Sequence, residues 1–219
     1  LGVTQIHEIV GKTQYLRQVA GLDRIRLDSL FAPVSAPKTP VACPAPKLVR
    51  KPLNTLTKVI ADTVRAGFTE EGCQMVRYTE EYVRSVDRAV GTALAGEIAR
   101  KTCPQGLAEI HLAASIPGNG LGAFSVEGVA LRVEGGGQDG IAKGSSGGET
   151  VILKGRNILG QRVDGSVGKS LAYGATGGFI AVQNMADSRA CVRLCGADVV
   201  FGARITHPVA DSRGHMAVS

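Results

Sequence analysis

Four histidines and five cysteines hold most of the chemistry open to this 219-residue chain: His7, His111, His207 and His215, with Cys43, Cys73, Cys103, Cys191 and Cys195. A protein metal site needs several such side chains at short, characteristic spacings. Only Cys191 and Cys195 are close, and no histidine or third cysteine stands near them. The run Cys191-Val192-Arg193-Leu194-Cys195 alternates apolar and polar residues and reads as strand, its cysteines acting as small hydrophobes. An odd number of cysteines at irregular spacing is no disulfide framework and fits a reducing, cytoplasmic setting. His111 sits among apolar residues and reads as half-buried and structural. His207 and His215 lack a partnering Glu or Cys motif, and no nucleophile elbow, paired-carboxylate pattern or P-loop is present. The expectation is that this chain holds no complete active site, with no catalytic, cofactor-binding or metal-binding residue to assign.

Glycine is the other candidate, because glycine-rich loops can cradle phosphate. Gly118-Asn-Gly120-Leu-Gly122 and Gly144-Ser-Ser-Gly147-Gly148 have the composition but not the strand–loop–helix context of a dinucleotide fingerprint. The second stretch also recurs. Gly140-Ile-Ala-Lys-Gly144-Ser-Ser-Gly147-Gly148 precedes Val151-Ile152-Leu153, and Leu171-Ala-Tyr-Gly174-Ala-Thr-Gly177-Gly178 precedes Phe179 to Val182. Turn plus short apolar strand, repeated, is what a stacked-coil β architecture requires. Aligning Gly96, Gly128, Gly148, Gly178 and Gly196 gives intervals of 32, 20, 30 and 18 residues. Each coil would bury its apolar side against the next. Ile98, Val129, Leu131, Val151, Leu153, Ile180, Val182 and Val199 are the expected inward residues. Gly140, Gly144, Gly147, Gly148, Gly174, Gly177 and Gly178 are then structural corners.

Composition agrees with this division. Of 29 glycines, 22 lie at or after Gly106. The net charge of +6 and the pI near 9.2 come from scattered Lys and Arg, with no interleaved aromatic residues for stacking bases, so no nucleic-acid partner is expected. No segment reaches the roughly 20 apolar residues of a membrane span, and no signal peptide is read. The chain opens on Leu1, as a fragment, a processed subunit or a trimmed piece would.

The elements that must carry these residues follow in order. Thr4 to about Gln18 reads as a short helix capped by Thr4 and weakened at Gly11. Residues 20 to 52 hold six of the nine prolines and read as an extended arm, so 1–52 is a helix plus Pro-rich linker. Leu53 to Gly67 is a helix with Leu53, Leu56, Val59, Ile60 and Val64 on one face and Gly67 as its stop. Gln74 to Val83 has strand character and completes a segment 53–84. Residues 85–219 form the glycine-repeat region. In it, Gly91 and Gly96 favour turn and strand over a helix at Ala93 to Arg100, and Asp87 with Arg88 reads as an ion pair fixing a turn. Strands are expected at Ala108 to Ala113, in a pair around Gly128 between Val126 and Val133, and between Cys191 and Ile205.

Three of these stretches together resemble a known family. Asp87-Arg88-Ala89-Val90-Gly91-Thr92-Ala93-Leu94-Ala95-Gly96-Glu97-Ile98-Ala99 is similar to the start of the C-terminal glycine-repeat (GXGXG) domain of the glutamate synthase large, or alpha, subunit. The stretches from Gly140 and from Leu171 resemble its glycine signature, and Leu1-Gly2 with Ile9 to Thr13 and Leu16 resembles the segment leaving a preceding flavin barrel. The resemblance implies a mainly β fold, a right-handed parallel β-helix (a single-stranded solenoid) with an N-terminal helical and Pro-rich extended arm. It implies a non-catalytic structural domain or subunit of an oxidoreductase complex that makes glutamate from glutamine and 2-oxoglutarate, in glutamate biosynthesis and ammonia assimilation. Amidotransferase and FMN-binding synthase domains or subunits would be its partners in a cytoplasmic hetero-oligomer, with FMN and the iron–sulfur cluster on those partners and none in this chain. Subunits of N-methylglutamate synthase or formylmethanofuran dehydrogenase are related alternatives, and a stand-alone binding β-helix is another. The family domain continues past the region matching Gly196, so the β-helix is expected either to be cut short at Ser219 or to be covered there by a partner.

Overall fold

The computed structural model describes residues 2–5, 8–32, 53–101, 106–202 and the backbone of 215–218. His7, Cys43, Cys103, His207 and most of the Pro-rich arm lie outside them. The chain divides into two compact units, Leu1–Arg50 and Lys51–Ser219.

The first unit is built of turns. Where a helix is expected at Thr4 to Gln18, the described residues contain 3-10 turns, at Glu8 and at Thr13–Tyr15, and no α-helix. The Thr4 side chain meets Glu8 instead of capping a backbone amide, Gly11 turns the chain at φ +73°, and Val10, Leu16 and Val19 are exposed, so no buried stripe rewards a helix. A single helical turn, α1, spans Asp28–Phe31. Gln18 organises the approach to it, donating to the carbonyls of Ala20 and Ile25 and accepting from Leu27 N.

The second unit begins with helix α2, Thr55–Thr69. Asn54 caps it by accepting from Thr57 N at 2.8 Å. Its buried face is Thr57, Ile60, Ala61, Val64, Gly67 and Phe68; Leu53 and Val59, expected on that face, are exposed. Gly67 is not the stop. It lies within the helix, and a β-carbon there would fall 2.5 Å from Val76 Cγ2. The helix continues because the missing side chain lets the first strand lie against it.

Strands β1 (Met75–Glu80), β2 (Leu107–Ser115), β3 (Val129–Gly135), β4 (Ser146–Leu153), β7 (Gly177–Val182), β8 (Asp198–Phe201) and β9 (His215–Val218) form one seven-stranded sheet, every neighbour parallel, in the order of the sequence. The fold is therefore a mainly parallel sheet with few helices. Among the described residues, a short antiparallel hairpin, β5 (Gly155–Arg156) and β6 (Arg162–Val163), stands apart from it between β4 and β7. The segment 53–84 joins this sheet through β1. Val126 to Gly128, expected as strand, turn into the single strand β3.

Helix α3, Thr92–Ala99, replaces the turn and strand expected around Gly91 and Gly96. Gly91 caps it at φ +88°, while Gly96 sits inside it. Leu94 and Ala95 are 1% exposed in the same core as Ile60, Val64 and Phe68. Burying a side chain the size of Leu94 is worth about 1.5–3 kcal/mol, more than the roughly 1 kcal/mol a mid-helix glycine costs. Arg65 bridges the two helices with a two-point contact to Glu97, at 2.9 and 3.0 Å.

Register sets the interior. One column runs Ile110, Leu131, Thr150, Ile180 and Val199; the next runs Leu112, Val133, Ile152, Val182 and Phe201. All are buried. In β4 this inverts the expected faces: Thr150 and Ile152 point inward, while Val151 and Leu153 are only partly buried. The ladder between β4 and β7 slips between Ser146 and Glu149, and a one-residue slip exchanges the two faces of a strand. Ile98, expected inward as a strand residue, is a half-buried residue of α3.

Candidate functional site

The turns between strands stack as regularly as the strands. Ala89 donates to Asn119 O, Gly120 to Asp139 O, Gly140 to Lys169 O and Ser170 to Ser188 O, at 2.7–3.0 Å. Two residues on, the direction reverses: Gly122 donates to Val90 O, Ala142 to Leu121 O, Ala172 to Ile141 O and Cys191 to Leu171 O. Two further on it reverses again, with Phe124 donating to Lys143 O, Gly144 to Tyr173 O and Gly174 to Val192 O. Every donor in these three columns has a left-handed backbone, with φ between +51° and +82°. Along each turn the amides thus point alternately up and down the stack at every second residue. The Gly-x-Gly-x-Gly spacing is the signature of this ladder: Gly120-Leu-Gly122 in one turn and Gly140-Ile-Ala142-Lys-Gly144 in the next.

These amides are spent on neighbouring rungs. Ser146 N reaches Ser125 O at 2.8 Å, and Thr176 N reaches Ser145 O at 2.7 Å. A phosphate cradle needs amides that converge on open space, and here they meet carbonyls. Gly147 and Gly177 face the backbone of the preceding rung, where a β-carbon would lie 2.6 Å from Glu127 N and 2.5 Å from Ser146 O. Gly148 and Gly178, both at positive φ, are hemmed in the same way by Val129 O and Gly148 O.

The turn at Asp87 is the lower neighbour of this stack. Asp87 accepts from Arg84 N at 2.9 Å, and its ion-pair partner is Arg84 at 3.9 Å, not the adjacent Arg88. Sequence adjacency pointed to the wrong arginine because three residues of turn bring Arg84 back onto the carboxylate. The Arg88 stem covers Gly118, and Asp87 O accepts from Gly118 N.

Cys191 and Cys195 are parted by their backbone. Residues 188–193 are turn, not the strand expected there, because Cys191 and Arg193 occupy two of the left-handed columns. Cys191 is fully buried, and burial pushes its thiol up to about 12. Cys195 is exposed, with Sγ 3.3 Å from Arg193 O. Among the described residues no group of His, Cys, Asp and Glu has metal-site geometry. None of the described helices is long and apolar enough to cross a membrane.

On the outer face of the sheet lies a shallow depression of about 640 Å³. Charges of both signs alternate across it. Arg77 pairs with Glu109, and Glu134 is shared between His111 Nε2 at 3.2 Å and Arg132 Nε at 3.8 Å. Tyr78, at its edge, has its phenol pushed up to about 12 by burial and by donating to the Glu80 carboxylate at 2.9 Å. His111 is thus half-buried on the sheet surface, beside the Glu134 carboxylate, and its Nε2 has no hydrogen-bond partner among the described residues.

Parallel strands taken in sequence order, joined by a turn ladder of alternating left-handed residues, define a class of glycine-repeat domain. The chain belongs to the GXGXG motif family, whose model matches residues 58–209. The glutamate synthase [NADPH] large chain of Azospirillum brasilense is 31% identical over 208 residues, covering 91% of this chain and 14% of its own length. Ferredoxin-dependent glutamate synthase 2 of Synechocystis sp. is 29% identical over 216 residues, 93% of this chain and 14% of its own. The chloroplastic/mitochondrial ferredoxin-dependent glutamate synthase 1 of Arabidopsis thaliana is 28% identical over 210 residues, 91% of this chain and 13% of its own. The chain therefore spans about one seventh of the length of these relatives.

Proposed function

We propose that this chain is a structural domain or subunit of a glutamate-synthase-type oxidoreductase, which holds amidotransferase and flavin-binding synthase domains in place without carrying out chemistry itself. The observation that carries the reading is the coincidence of the turn ladder with the glycine signature of the matched family, together with alignment of almost the whole chain to glutamate synthase chains. We read the stack as a right-handed parallel β-helix. Strands paired in sequence order favour that reading, as does the second line of contacts at Gly137, Val167 and Ala186. Crossovers between parallel strands are right-handed in nearly all proteins. A stack whose amides and apolar side chains are spent on its own rungs is stiff, and stiffness is what a spacer between catalytic domains requires.

In this reading FMN and the iron–sulfur cluster belong to partner domains, the complex makes glutamate from glutamine and 2-oxoglutarate, and the setting is cytoplasmic. Gentle purification of the native protein tests it. The expected result is co-elution with flavin absorbance and glutaminase activity, on the same polypeptide or in complex. Recovery of the protein alone, with neither, would sink the proposal.

A further inference from the structure

Two steps of the stack are longer than its geometry requires. Ala89, Gly120, Gly140, Ser170 and Arg189 hold the same place in successive turns and are 31, 20, 30 and 19 residues apart. The first long step carries α3, which packs into the core; the second carries the β5–β6 hairpin, whose tip is Asn157-Ile158-Leu159-Gly160. Ile158 is 56% exposed and Leu159 74%. The tip is nevertheless held in shape. Asn157 Oδ1 accepts from Leu159 N and Gln161 N, both at 2.9 Å, and Arg156 donates to Gly160 O at 2.8 Å. The base is fixed too, since a β-carbon on Gly155 would fall 2.6 Å from the Glu134 backbone.

Around this apolar tip the basic residues outnumber the acidic ones: Lys154, Arg156 and Arg162 against Glu134 and Asp164. Arg156 and Arg162 face each other directly across the hairpin, an arrangement that opposes its own formation. Lys154 stands at its foot. The nearby carboxylates are engaged elsewhere, Asp164 with Ser166 N and Glu134 with His111 and Arg132. Among the described residues no ion pair is formed by Lys154, Arg156 or Arg162.

We infer that this hairpin is a docking finger: Ile158 and Leu159 enter an apolar hollow on a partner polypeptide of the glutamate-synthase assembly, and Arg156, Arg162 and Lys154 meet carboxylates on its rim. A pre-shaped tip loses little freedom on binding, so its two apolar side chains act as anchors. The rim charges steer the encounter and restrict the partner to an acidic surface. A nucleic acid would answer the charge but not the exposed aliphatic pair. The inference rests on the proposed function, which supplies the class of partner.

The test co-expresses the full chain with the flavin-domain and amidotransferase polypeptides of the same genome and measures their affinity for it. The wild-type chain is expected to retain a partner, less well as salt rises. Ile158→Ser with Leu159→Ser should weaken retention about tenfold or more, and Arg156→Glu with Arg162→Glu should do the same, with the melting temperature of either double variant unchanged. Retention by wild type and variants alike overturns the docking finger and leaves the proposed function standing. No retention by wild type overturns the proposed function, and the finger with it. Undiminished partner binding, with a loss in the variants of self-association or of binding to duplex DNA, overturns the inference in favour of a second copy or a nucleic acid.

Discussion

The carbonyl oxygen of Val129 stands where a β-carbon on Gly148 would have to be, the two only 2.4 Å apart. Gly148 also has φ +76°. By contrast Gly174, at φ +65°, has nothing within 4 Å of its β-carbon position. Gly174→Ala therefore costs only the left-handed backbone, about 1–2 kcal/mol. Gly148→Ala adds a collision with two backbone carbonyls of the preceding rung, those of Val126 and Val129, and about 3 kcal/mol or more is expected. Urea denaturation of the two variants checks this order. Equal losses would mean that the rungs are not in this contact.

The faces of β4 give a second prediction. Ile152 stands between Val133 and Val182 and is 0% exposed, while Val151 points away. Ile152→Ala should destabilise the fold by about 2–5 kcal/mol. Val151→Ala should cost less than about 1.5 kcal/mol, since part of that side chain is already in water. Thermal unfolding distinguishes the two, and a reversed ranking would restore the face assignment expected from sequence.

Buried Cys191 has a reactivity and a pH signature. Its thiol is raised from an ordinary value of 9.0 to about 12 by burial, so the folded protein holds that proton where the unfolded chain releases it. The sign follows. Its contribution to stability is complete below pH 9 and is lost as pH rises from about 9 through about 12. Cys191→Ala should flatten the alkaline fall in stability over that window. In the native protein at pH 8, peptide mapping after alkylation should find Cys195 modified and Cys191 protected until the fold opens.

Between the helices, Arg65 and Glu97 meet at two points, and Arg65 also reaches Asp62 at 3.0 Å. Hydrogen bonding to Glu97 holds the guanidinium pKa above its ordinary value. The pair is partly exposed, with Arg65 at 40% and Glu97 at 19%, so its worth is modest. Glu97→Gln should cost about 1 kcal/mol or less, and the loss should shrink at high salt. A double-mutant cycle with Arg65→Met measures the coupling; a value of zero would remove this link between α2 and α3.

Much of the stack was legible in the chain. From Gly128 onward the intervals between glycines match the rungs, because each rung must place a turn and then an apolar strand at the same height. The turn columns were half legible: Gly120, Gly122, Gly140, Gly144 and Gly174 mark left-handed positions, but Ala142, Ala172 and Cys191 occupy them as well, with no glycine to announce it. The alternating spacing was the available signal for them. Nothing in the pattern set Lys154 to Asp164 apart as a hairpin, since an exposed Ile-Leu pair looks like one more buried strand.

By itself, then, the sequence determined the repeating unit and the family, because turn chemistry and short apolar runs are local properties. Tertiary structure alone decided which side of each rung faces in. Thr150 is buried and Val151 is not because the strand register aligns Thr150 with the buried Leu131 and Ile180 on either side. It also made Ala93 to Ala99 a helix in spite of Gly96, since packing Leu94 and Ala95 against the core outweighs a glycine's helix propensity. Local preferences are worth tenths of a kcal/mol to about one, burial of a side chain about twice that or more, and where the two conflict in this chain burial prevails.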